Sequence, residues 1–431
     1  MTSERTVNER TGKAHKGIIT ILALYLVLGV TYSLVTPVFE ASDELWHYPM
    51  VKYIADNWSL PVQDPEHIGP WKQEGSQPPL YYALGALLTA WIDTSDMIQV
   101  RRLNPHVDNG VVTPDGNINL VVHDPARESF PWRGTVLAVH LIRFMSVLMG
   151  AGTVYLTYRI ALEVWPERER LALAAAAITA FNPMFLFISG SVNNDNLAML
   201  LCALALWMLM RVGRLEDWEV GRSEGWKIGR LGVVLGLAVL TKESALGLLL
   251  LTALVVTYAA WQRQSWRVFF TGGAITAGLV ALIAGWWYYR NWVLYGDPLG
   301  LNAFIAILGK RAVPADLTQL WAERKGFMMA YWGLFGGVNV PLPEWIYVVL
   351  NTMAVLAGIG LILKASYELG VRNYAAHNTQ HATRNTQYVI RNSQLLTRLL
   401  LFLWPLLVLI SWARWASVTW SSQGRLVFSA I

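Results

Sequence analysis

Charge and cysteine are both scarce in this chain of 431 residues. Asp, Glu, Lys and Arg make up 15% of it and hydrophobic residues 54%, whereas a soluble domain averages about 25% charged residues. The single cysteine, Cys202, excludes a disulfide within the chain and a cysteine-based metal site. The basic residues are spread over separate loops, which does not indicate a nucleic-acid-binding patch. The class that remains is an integral membrane protein.

Long continuous apolar runs support that class. Continuous runs of this length indicate transmembrane helices, and the 21 Trp and 17 Tyr are typical of aromatic belts at the membrane interfaces. We predict an all-α polytopic membrane protein with a single membrane domain over residues 1–431. The nine predicted spans lie at residues 18–38, 136–160, 170–190, 197–211, 229–241, 244–260, 267–288, 343–363 and 396–413.

Basic residues near the ends of the spans predict the orientation, because Lys and Arg concentrate on the cytoplasmic side. They lie in the tail 1–17 and in the loops 211–230, 261–267 and 364–395. All of these become cytoplasmic if the first span runs outward and the spans then alternate. The same orientation predicts two large outer loops, at 39–135 and 289–341, and short interfacial helices in the first of them.

Three segments depart from the simple pattern of spans. The apolar stretch "LYYALGALLTAW", 80–91, is too short to cross a bilayer and predicts an interfacial or re-entrant helix. The region 229–260 favours two crossings with a tight outer turn at residues 241–243. The polar, low-complexity segment 374–394, inside the cytoplasmic loop 364–395, predicts a flexible insert, with a functional histidine tract as the alternative.

The segment "FEASDELWHYPM", 39–50, places ionisable side chains directly after the first span. Ser42 is predicted to cap a helix that begins at Asp43. Glu40, Asp43, Glu44 and His47 would then share one face of that helix. Two other interpretations stay open for this segment alone: a solvated interfacial helix, and a metal site formed by Asp43 and His47.

Polar and ionisable residues from distant segments are predicted to lie on the same outer side. Each has a plain structural explanation as a helix cap, a turn or an interface anchor. Together they indicate a site for an anionic, lipid-linked substrate, since a guanidinium fork suits two phosphate oxygens. These residues are Asp43, Glu74, Asp195, Lys242, Glu243, Arg290 and Arg425.

In their order along the chain, these motifs resemble the membrane-embedded glycosyltransferases of the GT-C class. That class includes protein O-mannosyltransferases, aminoarabinose transferases and the catalytic subunits of oligosaccharyltransferases. The matching stretches are "DE" at 43–44, "PPLYY" at 78–82, Asp195, "TK" at 241–242 and "RNWVLYGDP" at 290–298. The stretches "SDELWH" and "QGRLVF" also look like an uncharacterised bacterial membrane family allied to the class.

The sequence departs from the class at a few positions. Gln77 stands where aminoarabinose transferases tend to have a lysine. Asn194 and Asn196 flank Asp195, where the oligosaccharyltransferase pattern has further carboxylates, which weakens the case for a tightly bound divalent metal. The class usually has more spans after the position that matches Arg425, so two alternatives stay open: the sequence is incomplete at its C-terminus, or it is a short variant of the class.

The resemblance implies an inverting transfer of a sugar from a polyprenyl-phosphate donor to a glycan, lipid or protein acceptor. The site would face the extracytoplasmic side of a bacterial inner membrane. Asp43 is expected to be the general base, with its pKa raised by burial, and Glu44 or His47 to orient it. No cofactor is implied with certainty, and a divalent metal stays open. The residues expected to bind substrate are Gln77, Tyr81, Asp195, Lys242, Glu243, Arg290, Asn291 and Arg425.

Two other functions remain open at the level of sequence. The chain could transport or flip a lipid-linked sugar, although transporters often show related halves and charges near the bilayer midplane. It could also be a non-catalytic subunit in the assembly of the cell envelope. The density of ionisable residues at one predicted face favours the enzyme.

Overall fold

Apolar helices make up most of the protein. The computed structural model describes residues 2–111, 116–213, 223–378 and 384–431. In the described residues, seven helices are long and apolar enough to cross a membrane, or eight if one bent pair counts as a span. The helices are, in chain order, α1 (Thr2–Val35), α2 (Glu44–Asn57), α3 (Leu80–Thr89), α4 (Met97–Val100), α5 (Pro125–Glu128), α6 (Gly134–Val164), α7 (Glu169–Ala180), α8 (Pro183–Ser189), α9 (Asp195–Val212), α10 (Ser223–Val239), α11 (Gly247–Gln262), α12 (Trp266–Val280), α13 (Trp286–Tyr295), α14 (Leu301–Leu308), α15 (Leu317–Ala322), α16 (Arg324–Trp332), α17 (Glu344–Asn378) and α18 (Arg384–Val418).

The predicted fold class, an all-α polytopic membrane protein, is confirmed. Eight of the nine predicted spans coincide with α1, α6, the α7–α8 pair, α9, α11, the continuous segment from α12 to α13, α17 and α18. The ninth falls within α10, which has 17 residues and is therefore shorter than the roughly 20 residues that usually cross a bilayer. The count of nine spans stays a prediction.

Helices α7 and α8 form the bent pair. They meet at 62°, because Pro183 begins α8 and cannot donate the hydrogen bond that would continue α7. The side chain of Asn182 caps the new helix by accepting from the N–H groups of Met184 and Phe185 at 2.9 and 3.2 Å. The bend moves the following turn, which precedes α9, toward the first outer loop.

The first outer loop contains α2 to α5 and is otherwise largely irregular. Helix α3 has 10 residues, which is too few to cross a bilayer. This confirms the prediction that the apolar stretch 80–91 is too short to be a transmembrane span. The prediction that Ser42 caps α2 is wrong. Asp43 is the N-cap residue, without a side-chain capping bond, and the Ser42 hydroxyl is buried with no hydrogen-bond partner among the described residues.

Two short 3₁₀ turns contain the predicted site residues Glu243 and Arg425. The turn Glu243–Leu246 joins α10 to α11, whereas the two crossings with an outer turn at 241–243 stay a prediction. The turn Gly424–Ala430 follows α18 and is buried at Gly424, Arg425 and Phe428. In the second outer loop, strands β1 (Leu334–Phe335) and β2 (Val340–Pro341) form an antiparallel hairpin, with Phe335 opposite Val340.

The predicted cytoplasmic insert 364–395 is helical on both flanks. Helix α17 continues to Asn378 and α18 begins at Arg384. Residues 379–383, and with them part of the predicted flexible segment and histidine tract, lie outside the described residues. Flexibility of this insert therefore stays a prediction.

Candidate active site

Two ion pairs bring together predicted residues from distant segments. Arg425 donates through Nη2 to Oδ2 of Asp43, which precedes α2. Lys242, after α10, donates through Nζ to Oδ1 of Asp195, the first residue of α9. All four charges act on the pKa of His47 in α2, so the two pairs belong to one site. We call Asp43, His47, Asp195, Lys242 and Arg425 the paired-charge site.

The members of the paired-charge site differ in accessibility. The side chains of Asp43 and Lys242 are 24% and 21% exposed, whereas that of Arg425 is 3% exposed. Arg425 donates through Nε to the side chain of Gln423 at 2.6 Å. Its Nη1 is buried and has no hydrogen-bond partner among the described residues. A buried guanidinium nitrogen without a partner beside an accessible carboxylate is suited to an anionic ligand.

A buried hydrogen-bonded chain leads from His47 to Glu74. Nδ1 of His47 hydrogen-bonds the Tyr82 hydroxyl at 2.8 Å, and that hydroxyl donates to Oε2 of Glu74 at 3.3 Å. His47 and Glu74 also approach each other directly, with 3.5 Å between Nδ1 and Oε2. Gln73 donates to the other oxygen of Glu74 at 2.9 Å. The hydrogen bonds from His47 through Tyr82 to Glu74 fix the ring of His47 beside Asp43.

Burial and neighbouring charges set the protonation states of His47 and Glu74. Burial, reinforced by the negative charge of Asp43, raises the pKa of Glu74 to about 8. Burial also lowers the pKa of His47 to about 4, against the raising effect of Asp43 and Asp195. At neutral pH both His47 and Glu74 are therefore mainly uncharged.

The predicted rise in the pKa of Asp43 is wrong in direction. Burial alone would raise it, but the positive charge of Arg425, the hydrogen bond from Arg425 and the positive charge of Lys242 together hold the pKa of Asp43 below its usual value. Asp43 is thus ionised throughout the physiological range while Arg425 is its partner.

Glu44 does not face the same way as Asp43. Its carboxylate accepts from Nε and Nη2 of Arg143 in α6 at 2.9 and 2.5 Å. It also accepts from the N–H groups of Phe39 and Val192 at 2.9 and 2.8 Å. Both side chains of the ion pair are fully buried. The prediction that Glu40, Asp43, Glu44 and His47 share one face is therefore wrong, because Glu44 and Glu40 serve other partners.

Removing Arg143 is expected to destabilise the protein severely. Arg143→Met leaves the Glu44 charge buried without its partner, which costs about 3–5 kcal/mol in comparable pairs. Unfolding in mixed detergent and SDS measures the loss. The control is Lys325→Met, which breaks an exposed pair with Glu344 and is expected to change stability by less than about 1 kcal/mol. Equal small effects of both variants would contradict this account of the pair.

Glu40 organises the far part of the first outer loop. Its carboxylate accepts from the N–H groups of Leu120 and Val121 at 2.8 and 3.0 Å. His123 bridges Glu40 and Glu128, each at 2.9 Å. Hydrogen bonds from His123 to these two carboxylates raise its pKa to about 9. This cluster attaches the loop to the turn that holds Asp43.

The His123 cluster predicts a loss of stability at alkaline pH. A histidine with a raised pKa contributes stability that is complete below its unfolded value, about 6.5, and is lost as pH rises through about 9. The melting temperature in detergent is therefore expected to fall between pH 7 and 9.5, and less so in His123→Asn. Parallel pH profiles for the two proteins would contradict the prediction.

Two more of the predicted substrate-binding residues lie beside the paired-charge site. Gln77 accepts from the side chain of Asn194 at 2.6 Å, which connects it to the turn before Asp195. The Tyr81 hydroxyl hydrogen-bonds Ser146 at 2.8 Å and accepts from the N–H of Asn193 at 3.0 Å. Tyr81 is fully buried, so its contacts here are structural.

The structure does not bring Arg290, Asn291 and Glu243 into hydrogen-bond contact with the paired-charge site. Arg290 donates to the carbonyls of Leu60 and Pro61, at 3.4 and 2.8 Å. Asn291 is fully buried, and both polar atoms of its side chain are without partners among the described residues. Glu243 begins the turn after Lys242. Substrate contacts for these residues stay predictions.

The residues present do not fit a bound divalent metal. In the described ranges, no group of three or more His, Cys, Asp or Glu side chains is arranged to hold one. The two carboxylates that face the site, Asp43 and Asp195, each have a cationic side chain as partner. We therefore derive no step through a metal.

Sequence reasoning missed Arg143, His123 and Tyr82. An arginine within an apolar span is rare and usually buried against a partner, so Arg143 could have been found from its position in the span predicted at 136–160. His123 lies in an irregular stretch, where nothing in the sequence indicates its partners. Tyr82 lies in the stretch PPLYY at 78–82, where only Tyr81 is predicted to bind substrate.

A family model agrees with the resemblance inferred from the motifs. Residues 138–289 match the model described as dolichyl-phosphate-mannose-protein mannosyltransferase. The matched region extends from α6 to α13 and includes Asp195 and Lys242, but neither Asp43 nor Arg425. The predicted resemblance to membrane glycosyltransferases of the GT-C class is thereby confirmed. Among curated proteins, none matches the chain.

The chain is also similar, at TM-scores below 0.5, to parts of larger solved structures. The S. cerevisiae protein O-mannosyltransferase Pmt1–Pmt2 complex bound to the sugar donor has 16% identity and a TM-score of 0.42, over 64% of this chain and 34% of that one. The Archaeoglobus fulgidus oligosaccharyltransferase in complex with Zn and sulfate has 15% identity and a TM-score of 0.47, over 95% and 48%. The oligosaccharyltransferase AglB from the same organism, with an inhibitory peptide and a dolichol-phosphate, has 14% identity and a TM-score of 0.47, over 96% and 49%. The chain spans about half the length of the two archaeal chains and about a third of the yeast chain.

Proposed function

We propose that this integral membrane protein transfers a sugar from a polyprenyl-phosphate donor to an acceptor at the extracytoplasmic face of its membrane. The observation that supports this most is the paired-charge site, where two cations and two carboxylates from distant segments meet in a partly accessible position. The family match at 138–289 supports the class of reaction, and its description suggests a lipid-phosphate sugar as donor. The proposed setting is a bacterial inner membrane.

The two cations suit the phosphate of the donor. As the bond between the sugar and the phosphate breaks, negative charge develops on the leaving phosphate, and preorganised cations stabilise that charge. Arg425 has an unpartnered Nη1, and Lys242 is a flexible and partly exposed cation. We assign phosphate binding to Arg425 and Lys242.

The phosphate competes with the carboxylates for these cations. Both cations have carboxylate partners in the structure, so a bound phosphate takes a share of each cation's hydrogen bonds. As the phosphate neutralises Arg425, Asp43 loses a charge that depresses its pKa, and its affinity for a proton rises. Donor binding therefore prepares Asp43 to act as a base.

The reaction is a single displacement at the anomeric carbon. The acceptor oxygen forms a bond to that carbon while the bond to the donor phosphate breaks, and the configuration inverts. Asp43 takes the proton of the acceptor hydroxyl or amine, and polyprenyl phosphate leaves. His47, held by Tyr82 and Glu74, positions Asp43 and contributes no charge at neutral pH. Glu44 has no direct part, because Arg143 and two backbone N–H groups occupy its carboxylate.

Incubation with a panel of polyprenyl-phosphate sugars tests the proposal. Purified protein is mixed with each donor and with candidate glycan, lipid and peptide acceptors, and the products are identified by mass spectrometry. One donor and acceptor pair is expected to give a product heavier by one sugar. Absence of transfer with every donor, alongside donor that remains intact, would contradict the proposed function.

A further inference from the structure

The second outer loop caps the end of the last described span. The N–H of Arg311 donates to the carbonyl of Val418, and the N–H of Ala315 donates to the carbonyl of Ser417, both at 2.8 Å. The side chain of Arg311 adds bonds from Nε to the carbonyls of Ala416 and Thr419, at 3.0 and 2.8 Å. One short segment of the loop therefore satisfies the carbonyls at the C-terminal end of α18.

This cap is strong on physical grounds. The last four carbonyls of a helix have no partner within the helix, and a cation there also interacts favourably with the helix dipole. Arg311 is 4% exposed, and its guanidinium lies over the ring of Trp420, 4.6 Å from the centroid. The last turn of α18 thus has a fixed position relative to the loop.

Glu323 completes the cap and extends it toward the paired-charge site. Its carboxylate accepts from Nη1 and Nη2 of Arg311 at 2.8 and 2.7 Å. Hydrogen bonds from Arg311 and from Ser422 lower the pKa of Glu323. Ser422 lies in the short connection between α18 and the turn that contains Arg425. Arg311 holds the start of that connection through its bond to the carbonyl of Thr419.

The same part of the loop also contacts the turn of Arg425 directly. Gly424 lies against the carbonyl of Phe327 and the backbone of Tyr331 in α16, with no room for a Cβ atom. Glu323 immediately precedes α16. A shift of the loop at Glu323 would therefore be transmitted to Gly424 and to its neighbour Arg425.

We propose that Arg311 and Glu323 are positioning residues that set the place of Arg425 in the paired-charge site. The inference rests on the proposed function, since it assigns to Arg425 the phosphate of the donor. Neither residue contacts the paired-charge site. They act through the connection 419–423 and through the close contact at Gly424.

Kinetics of Glu323→Gln and Arg311→Lys test this role. Glu323→Gln keeps every bond from Arg311 to the carbonyls but removes the charge of the pair. Its KM for the donor is expected to rise about tenfold, the effect of losing one charged hydrogen bond, with a smaller change in the KM for the acceptor. Arg311→Lys keeps the charge but loses the bonds that the planar fork makes, and it is expected to raise the donor KM further. Glu344→Gln, which breaks the exposed ion pair between Lys325 of the loop and Glu344 at the start of α17, is the matched control and is expected to leave both KM values unchanged.

A double-mutant cycle with Arg425→Lys separates positioning from general damage. If Glu323 acts through Arg425, Glu323→Gln is expected to have little further effect in the Arg425→Lys background. Equal effects in both backgrounds, or an unchanged donor KM in a folded Glu323→Gln protein, would overturn the inference. Absence of transfer by the unmodified protein would instead contradict the proposed function itself.

Discussion

Asp43→Asn is expected to abolish sugar transfer while leaving donor binding intact or tighter. Asparagine has nearly the shape of aspartate but cannot take a proton from the acceptor, and loss of a general base typically costs about 10²–10⁴-fold in rate. The substitution also removes the carboxylate that occupies Arg425, so the donor phosphate meets less competition. Single-turnover transfer gives the rate, and binding of a non-hydrolysable donor analogue gives the affinity.

The matched control for this experiment is Asp56→Asn. Asp56 lies on the same helix, is 49% exposed and is paired with Lys52, so its loss is expected to leave transfer unchanged. Retained transfer by Asp43→Asn would remove Asp43 from the role of base. A weaker affinity for the donor would show that Asp43 helps to bind the phosphate rather than competing with it.

Arg425→Gln is expected to lower kcat/KM for the donor by about 10²–10³-fold, the range seen when one stabilising donor of a transition-state charge is removed. It also changes the pH profile. Without Arg425, Asp43 loses the strongest charge that lowers its pKa and the hydrogen bond from that residue, so its pKa rises. The base is then protonated at a higher pH, so the acid limb of the kcat/KM profile is expected to move upward. The measurement is kcat/KM for the donor from pH 4 to 9.

Arg324→Gln provides the control for loss of an arginine from the outer loops. Arg324 is exposed and donates to the carbonyl of Trp321, with no contact to the paired-charge site. It is expected to change neither kcat/KM nor the pH profile. A donor affinity in Arg425→Gln equal to that of the unmodified protein would contradict the assignment of the phosphate to Arg425.

The grouping of four charged residues from distant segments could be predicted from sequence because it depends on local signals. The lengths of the apolar runs and the basic loops between them place Asp43, Asp195, Lys242 and Arg425 at the same face. The structure brings these four residues together as two ion pairs. Which acid pairs with which base depends on helix packing between remote segments, and sequence order does not determine that.

The misassigned residues show where local reasoning fails. Helical spacing alone placed Glu44 beside Asp43, but Arg143 draws the Glu44 carboxylate into the core. Burial alone predicted a raised pKa for Asp43, but Arg425, more than 380 positions away in the sequence, reverses the direction. Ser42 had the right residue type for a cap, yet α2 begins at Glu44 and Asp43 is its N-cap residue. The Ser42 hydroxyl is buried and makes no capping bond. For Glu44 and Asp43, a long-range partner outweighs the local preference.

The stoichiometry of the reaction in proteoliposomes tests the central claim most directly. The protein is reconstituted with a polyprenyl-phosphate sugar and the acceptor found in the panel, and glycosylated acceptor and free polyprenyl phosphate are both quantified. We predict that the two products form in equal amounts, with the anomeric configuration inverted, and that Asp43→Asn forms neither. Movement of intact donor across the bilayer without release of polyprenyl phosphate would contradict the account and identify a transporter instead.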